Sequence, residues 1–171
     1  FGFVIIDNGI VKITGLGRKL IESEKDSGDV FLKSFIKWQI PNPANNDFSS
    51  NGDYKVVPFV AILKLIDQVN KIETDRGGKA KGISKREFSL FAPTLVRYTD
   101  IENYAEEIIK FRDLQAGKSK VERKVVRDNY RREFAIKFLD TNEQAEIDKL
   151  LKNLQDYGDN AIRYFRLTKF I

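Results

Sequence analysis

The chain has 171 residues, with 30 Lys and Arg against 25 Asp and Glu, a formal charge of +5, and no Cys, His or Met. Without Cys and His it can build no zinc finger, disulfide frame, haem or iron–sulfur ligation, Ser-His-Asp triad or Cys nucleophile, so any catalysis would rest on carboxylates and lysines. A hydrophobic share of 42 % with 12 % aromatics describes a folded chain with a core, organised as one domain or two small ones.

No apolar run approaches the roughly 18 residues of a spanning helix, and no charged-then-apolar signal segment opens the chain, which predicts a soluble, intracellular protein. The sequence opens at Phe1 inside an apolar strand pattern and stops at the equally apolar Phe170-Ile171. It is therefore expected to be a piece of a longer polypeptide.

In chain order, Phe1 to Ile6 and Ile10 to Ile13 are apolar and flank Asp7-Asn8-Gly9, a hairpin signal. Thr14 can cap a short helix carrying Leu16, Leu20 and Ile21 that ends in the polar stretch Ser23 to Gly28. Asp29 can cap a second helix with Phe31, Leu32, Phe35, Ile36 and Trp38, stopped by Pro41-Asn42-Pro43, and a polar loop runs from Asn42 to Tyr54. From Pro58, the apolar residues Phe59, Ile62, Leu63, Ile66, Val69 and Ile72 recur at helical intervals.

Arg76 to Gly82 reads as a flexible basic connection, and Ser84 with Glu87 as a capping box ahead of Phe88, Leu90, Phe91 and Leu95. Thr99 or Asp100 can cap a helix that turns Ile101, Tyr104, Ala105, Ile108 and Phe111 inward. The stretch Lys118 to Lys137 holds eight cations against Glu122, Asp128 and Glu133, a surplus of five. A last helical region carries Ile147, Leu150, Leu151 and Leu154, is expected to break at Tyr157-Gly158-Asp159, and resumes over Ala161 to Leu167 before a strand begins at Phe170.

Short motifs with phosphate or metal chemistry are incomplete. Gly15-Leu16-Gly17 opens like a dinucleotide fingerprint, but the third glycine position holds Leu20. Gly77 to Gly82 has the spacing of a phosphate loop, but Ile83 stands where Lys is required. Asp53-Tyr54-Lys55 and Glu122-Arg123-Lys124 spell the acid-any-lysine trio of metal-dependent nucleases, yet neither follows an apolar strand with an upstream Pro-Asp. No catalytic, cofactor or metal residue is assigned.

Cations carry the remaining signal, because Lys and Arg neutralise phosphates and release counterions. Arg76, Lys79, Lys81, Lys85 and Arg86 form one cluster with no acid among residues 76 to 86, and Lys118 to Lys137 forms another whose three acids stand where they can pair along a helix. Arg163, Arg166 and Lys169 flank Tyr164 and Phe165. Phe165, Phe35 and Trp38 are read as core rather than as base-stacking platforms.

Helices leading into an apolar hairpin form the winged-helix plan, a helix-turn-helix variant. The fold class is thus mainly α with a β-hairpin, in winged-helix units. Residues 1–57 would hold the wing hairpin and helices of a first unit plus a linker, and residues 58–171 a helical second unit cut at the start of its wing.

Specific strings point to a family. Gly2-Phe3-Val4-Ile5-Ile6-Asp7, Ile13-Thr14-Gly15-Leu16-Gly17, Asp29-Val30-Phe31-Leu32-Lys33 and Ile36-Lys37-Trp38-Gln39-Ile40-Pro41 are followed by Pro58-Phe59-Val60 and Gly82-Ile83-Ser84-Lys85. Ala105 to Arg112 and Arg163-Tyr164-Phe165-Arg166-Leu167-Thr168 complete the series. Together they resemble the DNA-recognition region of type IIS restriction and strand-nicking endonucleases.

The resemblance implies a two-unit winged-helix reader of double-stranded DNA with a short asymmetric site. It also implies that this reader acts as a monomer in the prokaryotic cytoplasm, joined in the parent chain to a separate Mg²⁺-dependent nuclease domain. No cofactor is expected in the fragment, which is expected not to cleave by itself. DNA contacts are expected from Lys79, Lys81, Lys85, Arg86, Lys118, Lys120, Arg123, Lys124, Arg163, Arg166 and Lys169. A winged-helix transcriptional regulator or a protein-interaction module is the alternative.

Overall fold

A computed structural model describes residues 2–22, 27–40, 42 and 55–169. Among them the chain is mainly helical. An antiparallel hairpin of β1 (Val4–Asp7) and β2 (Ile10–Ile13) precedes α1 (Gly15–Glu22), α2 (Ser27–Phe35), α3 (Pro58–Asp75), α4 (Lys85–Phe91), α5 (Ile101–Asp113), α6 (Lys120–Leu139) and α7 (Gln144–Phe165). A 3-10 turn, Arg166–Thr168, follows the last helix.

The hairpin pairs Val4 with Ile13 and Asp7 with Ile10, and its two turn residues are left-handed, Asn8 at φ 49° and Gly9 at φ 77°. Two positive φ values match the twist of the flanking strands, which explains the Asn-Gly choice. Thr14 then starts α1 as expected: its Oγ1 accepts from the Gly17 amide at 3.0 Å and donates to the Gly2 carbonyl at 2.6 Å. Gly17 is buried there because a Cβ would stand 2.2 Å from the Phe3 carbonyl oxygen.

Local sequence signals place the later helices. Pro58 occupies the first turn of α3, where its missing N–H costs nothing. Ser84 with Glu87 and Ser119 with Glu122 form complete capping boxes at α4 and α6. Helices α3 and α5 pack along each other, and with α4, α6 and α7 they bury Leu65, Val69, Phe91, Ile108, Phe111 and Leu154 in the main core.

A second core is aromatic. Phe35 of α2, Phe59 of α3 and Phe165 of α7 meet with ring centroids 5.0–5.8 Å apart, and Phe88 of α4 closes the group. Edge-to-face pairs of this kind add to area burial. Phe165 and Phe35 are therefore core residues, as read from sequence, while Trp38 is only half-buried.

Three local expectations are corrected. The second helix starts at Ser27, two residues before Asp29, and ends at Phe35, before Trp38. It ends there because Ile40 turns into a bridge with Val56, with amide–carbonyl distances of 2.7 and 3.0 Å. Asp100 begins α5 without a side-chain cap, its carboxylate instead accepting from Arg97 Nε at 2.8 Å. The expected break at Tyr157-Gly158-Asp159 does not occur: α7 runs unbroken through it, with Gly158 buried where α4 crosses. The strand expected at Phe170 and all of the Asn42–Tyr54 loop except Asn42 itself lie outside the described residues.

Candidate nucleic-acid interface

Helix α6 shows why the basic stretch stays positive. Glu122 is engaged by the helix start: its carboxylate accepts from the Ser119 amide at 2.8 Å while its own amide donates to Ser119 Oγ at 3.3 Å. Those bonds with Ser119 hold the Glu122 carboxyl below its ordinary range. The pairing of Glu122, Asp128 and Glu133 with cations along the helix does not form, for no ion pair among the described residues involves residues 118–139. Lys118, Lys120, Arg123 and Lys124 moreover crowd the helix start, where the macrodipole disfavours positive charge. Helix stability does not account for these cations. Arg123 is steadied by donating from Nε to the Lys118 carbonyl at 2.6 Å.

Packing of α4 against α7 joins two clusters that lie far apart in sequence. Lys85 Nζ reaches Asp159 Oδ1 at 3.1 Å, and this contact, with help from Gln155 and the nearby charge of Arg163, keeps the Asp159 carboxyl low. Lys85 and Arg163 thus flank one carboxylate. The next residue, Arg86, lines a cleft between α4, α6 and α7 together with Lys124 of the predicted set. Arg127 and Arg131, members of the basic stretch 118–137 but not among the expected DNA contacts, line the same cleft. The signal that could have found them is the spacing 124, 127, 131, which puts all three on one face of a helix.

The other predicted residues take separate positions. Lys79 and Lys81 are exposed on the connection between α3 and α4, whose end is pinned by the Gly82 amide donating to Asn70 Oδ1 at 2.7 Å. Arg166 and Lys169 are exposed beyond the end of α7, with Lys169 left-handed at φ 64°. The side chains of Lys79, Lys81, Arg86, Lys120, Lys124, Arg131 and Arg166 make no hydrogen bond or ion pair with any other described residue.

Two arginines belong to the scaffold instead. Arg76 Nη2 donates to both carboxylate oxygens of Asp113, at 2.9 and 3.0 Å. Arg112 donates to Glu87 (2.8 and 2.9 Å), Glu73 (3.0 Å) and the Gly82 carbonyl (2.6 Å), locking α3, α4 and α5 together. Burial pushes the Glu87 carboxyl upward, but the Arg112 and Ser84 hydrogen bonds with the Arg112 charge outweigh it and hold the group below its ordinary value. Asp53 and Tyr54 of one acidic trio lie outside the described residues, and Glu122 of the other is the cap residue of α6.

The arrangement suits anion binding: cations of α4 and α6 without ion-pair partners border a cleft that α7 closes with Gln155. A protein-family model described as AlwI restriction endonuclease matches the chain over residues 1–171. No curated protein matches it.

Proposed function

Since the chain belongs to the AlwI restriction endonuclease family, a type IIS family, we propose that residues 1–171 perform sequence-specific recognition of double-stranded DNA for such an enzyme. The observation that carries this reading is the unneutralised cation set of α6 facing α4 and α7. Cations without acid partners supply the phosphate contacts and counterion release that dominate DNA affinity.

The finer parts of the reading are these. The hairpin and the helices up to residue 57 belong to a first winged-helix unit, and residues 58–171 to a second, in which the end of α7 carries Arg163 and Arg166 to base edges. The remaining predicted cations position the duplex through phosphates. Cleavage belongs to a separate Mg²⁺-dependent nuclease domain of the parent chain. Among the described residues no group of three or more Asp or Glu side chains is placed to hold a metal ion together. The protein acts as a monomer in the bacterial cytoplasm; no helix among the described residues is long and apolar enough to cross a membrane.

Selection of binding sites from random duplexes by the purified chain tests the proposal. A short asymmetric consensus, bound by a monomer with affinity falling about 10³-fold between 50 and 200 mM salt for six phosphate contacts, is the expected result. A palindromic consensus bound by a dimer would instead mark a regulator, and salt-independent behaviour a protein-binding module. With Mg²⁺ the same preparation is expected to leave supercoiled plasmid intact; relaxation abolished by Glu122→Ala would overturn the assignment of cleavage elsewhere.

A further inference from the structure

The cleft bordered by α4, α6 and α7 has a volume of about 370 Å³ and is floored in part by Leu90 and Phe111. Its polar lining is Arg86 and Ser89 of α4, Lys124, Arg127 and Arg131 of α6, and Gln155 of α7, with Asp128 as the one acid. Four cations against one carboxylate leave a strong positive surplus in a partly apolar setting, where electrostatic attraction is less screened than at an open surface. None of the four takes part in an ion pair, and Arg127 makes only a long contact to Gln115 at 3.5 Å.

Ser89 supplies an independent sign of a ligand. The residue is only 5 % exposed, and its buried Oγ has no hydrogen-bond partner. Buried hydroxyls are rarely left unpaired, because burial removes the water that would otherwise satisfy them. The hydroxyl now packs against Gly158 of α7, and an anion in the cleft that Ser89 lines would provide an acceptor once the side chain turns toward it.

The shape of the cation row identifies the anion. Lys124, Arg127 and Arg131 lie along one face of α6, and at 1.5 Å per residue the row is about 10 Å long. A free anion needs donors converging on one point, whereas a row of this length matches successive phosphates, which advance about 3.4 Å each along one strand. We infer that this cleft seats consecutive backbone phosphates of one DNA strand, with Arg127, Arg131 and Ser89 as phosphate-contacting residues beside Arg86 and Lys124. The inference rests on the reading of the chain as a DNA binder and adds the strand's path: across α6 and α4, leading past Lys85 toward Arg163.

The test uses the whole chain and its selected duplex, with Lys124→Ala, Arg131→Ala and Ser89→Ala. The two cation variants are expected to weaken binding about tenfold at 0.1 M salt, evenly across sequences, and to reduce the slope of log affinity against log salt by about one. Ser89→Ala should keep the wild-type melting temperature, since its hydroxyl has no partner in the free chain, and still bind more weakly. Replacing duplex phosphates one at a time by neutral methylphosphonate should reveal one or two adjacent positions at which Arg131→Ala causes no further loss. Wild-type affinity and slope in all three variants, with the unmodified chain binding duplex steeply in salt, overturn the cleft assignment and leave the DNA-binding reading standing. Absence of salt-dependent duplex binding by the unmodified chain overturns both. If inorganic phosphate at matched ionic strength stabilises the wild type but not Arg131→Ala while duplex binding is unaffected, the cleft holds a free anion and the backbone assignment falls.

Discussion

Gly158 and Ser89 bring helices α7 and α4 to backbone contact: a Cβ on Gly158 would stand 2.6 Å from the Ser89 Cα and 2.7 Å from its Oγ. Glycine inside a helix costs about 1 kcal/mol relative to alanine, so its position here reflects the crossing and not the helix. The close approach also sets the distance from which Lys85 reaches Asp159 and holds Gln155 at the edge of the cation cleft.

Gly158→Ala is expected to destabilise the protein by about 1–2 kcal/mol, the overpacking exceeding the gain in helix propensity. Adding Ser89→Gly should not restore the loss, because the nearest atom is the Ser89 Cα, which remains. Thermal denaturation of the single and double variants checks both statements; recovery in the double variant would place the clash in the Ser89 side chain instead.

Glu87→Gln should cost about 3 kcal/mol near neutral pH, since it strips Arg112 of its main partner inside a buried network. The Glu87 carboxyl is held below its ordinary value of 4.5, so its contribution is full above that value and disappears as pH falls through the lower, folded-state value. Urea titrations from pH 6 down to 3 should accordingly show a steeper loss of stability in the wild type than in the variant. Parallel curves would mean that the carboxyl is not stabilised by folding.

Asp159→Asn frees Lys85 from its ion pair and removes the negative charge near Arg163. Duplex affinity should rise severalfold at low salt, with a steeper salt dependence, while the melting temperature stays at the wild-type value because the pair is largely solvent-exposed. Fluorescence anisotropy at several salt concentrations measures this; unchanged or weaker binding would place the duplex away from the α4–α7 junction.

Arg163→Ala or Arg166→Ala should relax preference at particular base pairs by about 1–3 kcal/mol, as loss of a bidentate contact to a guanine edge does. Lys79→Ala, Lys81→Ala and Arg86→Ala should lower affinity for all sequences alike. Competition binding against single-base substitutions of the selected site separates the two behaviours. Wild-type preferences in both arginine variants would show that the end of α7 and the turn after it are not the reader.

Much of the secondary structure is legible in sequence because it is dictated locally. Asn8-Gly9 suits two left-handed residues, Pro58 suits a first turn, and Ser84/Glu87 forms a capping box within four residues. The second capping box, Ser119/Glu122, follows the same rule, set among charges that carry no capping signal themselves. The candidate interface was legible only as composition: the excess of Lys and Arg over residues 118–137 is visible, but not which of them meet.

What the sequence alone determined is most of the helices and the hairpin, the inward residues such as Phe35, Phe59 and Phe165, and a surplus of positive charge, since each depends on neighbours within a turn or a strand. Tertiary structure decided the rest. A glycine that looks like a helix break became a helix crossing, because burial against Ser89 compensates a local preference. Arg112 rather than another arginine became the internal lock, because Glu73 and Glu87, 39 and 25 residues away in sequence, converge on it. Arg86 and Lys124 came to share one cleft because α4, α6 and α7 pack together, and charge meets charge only where packing places it.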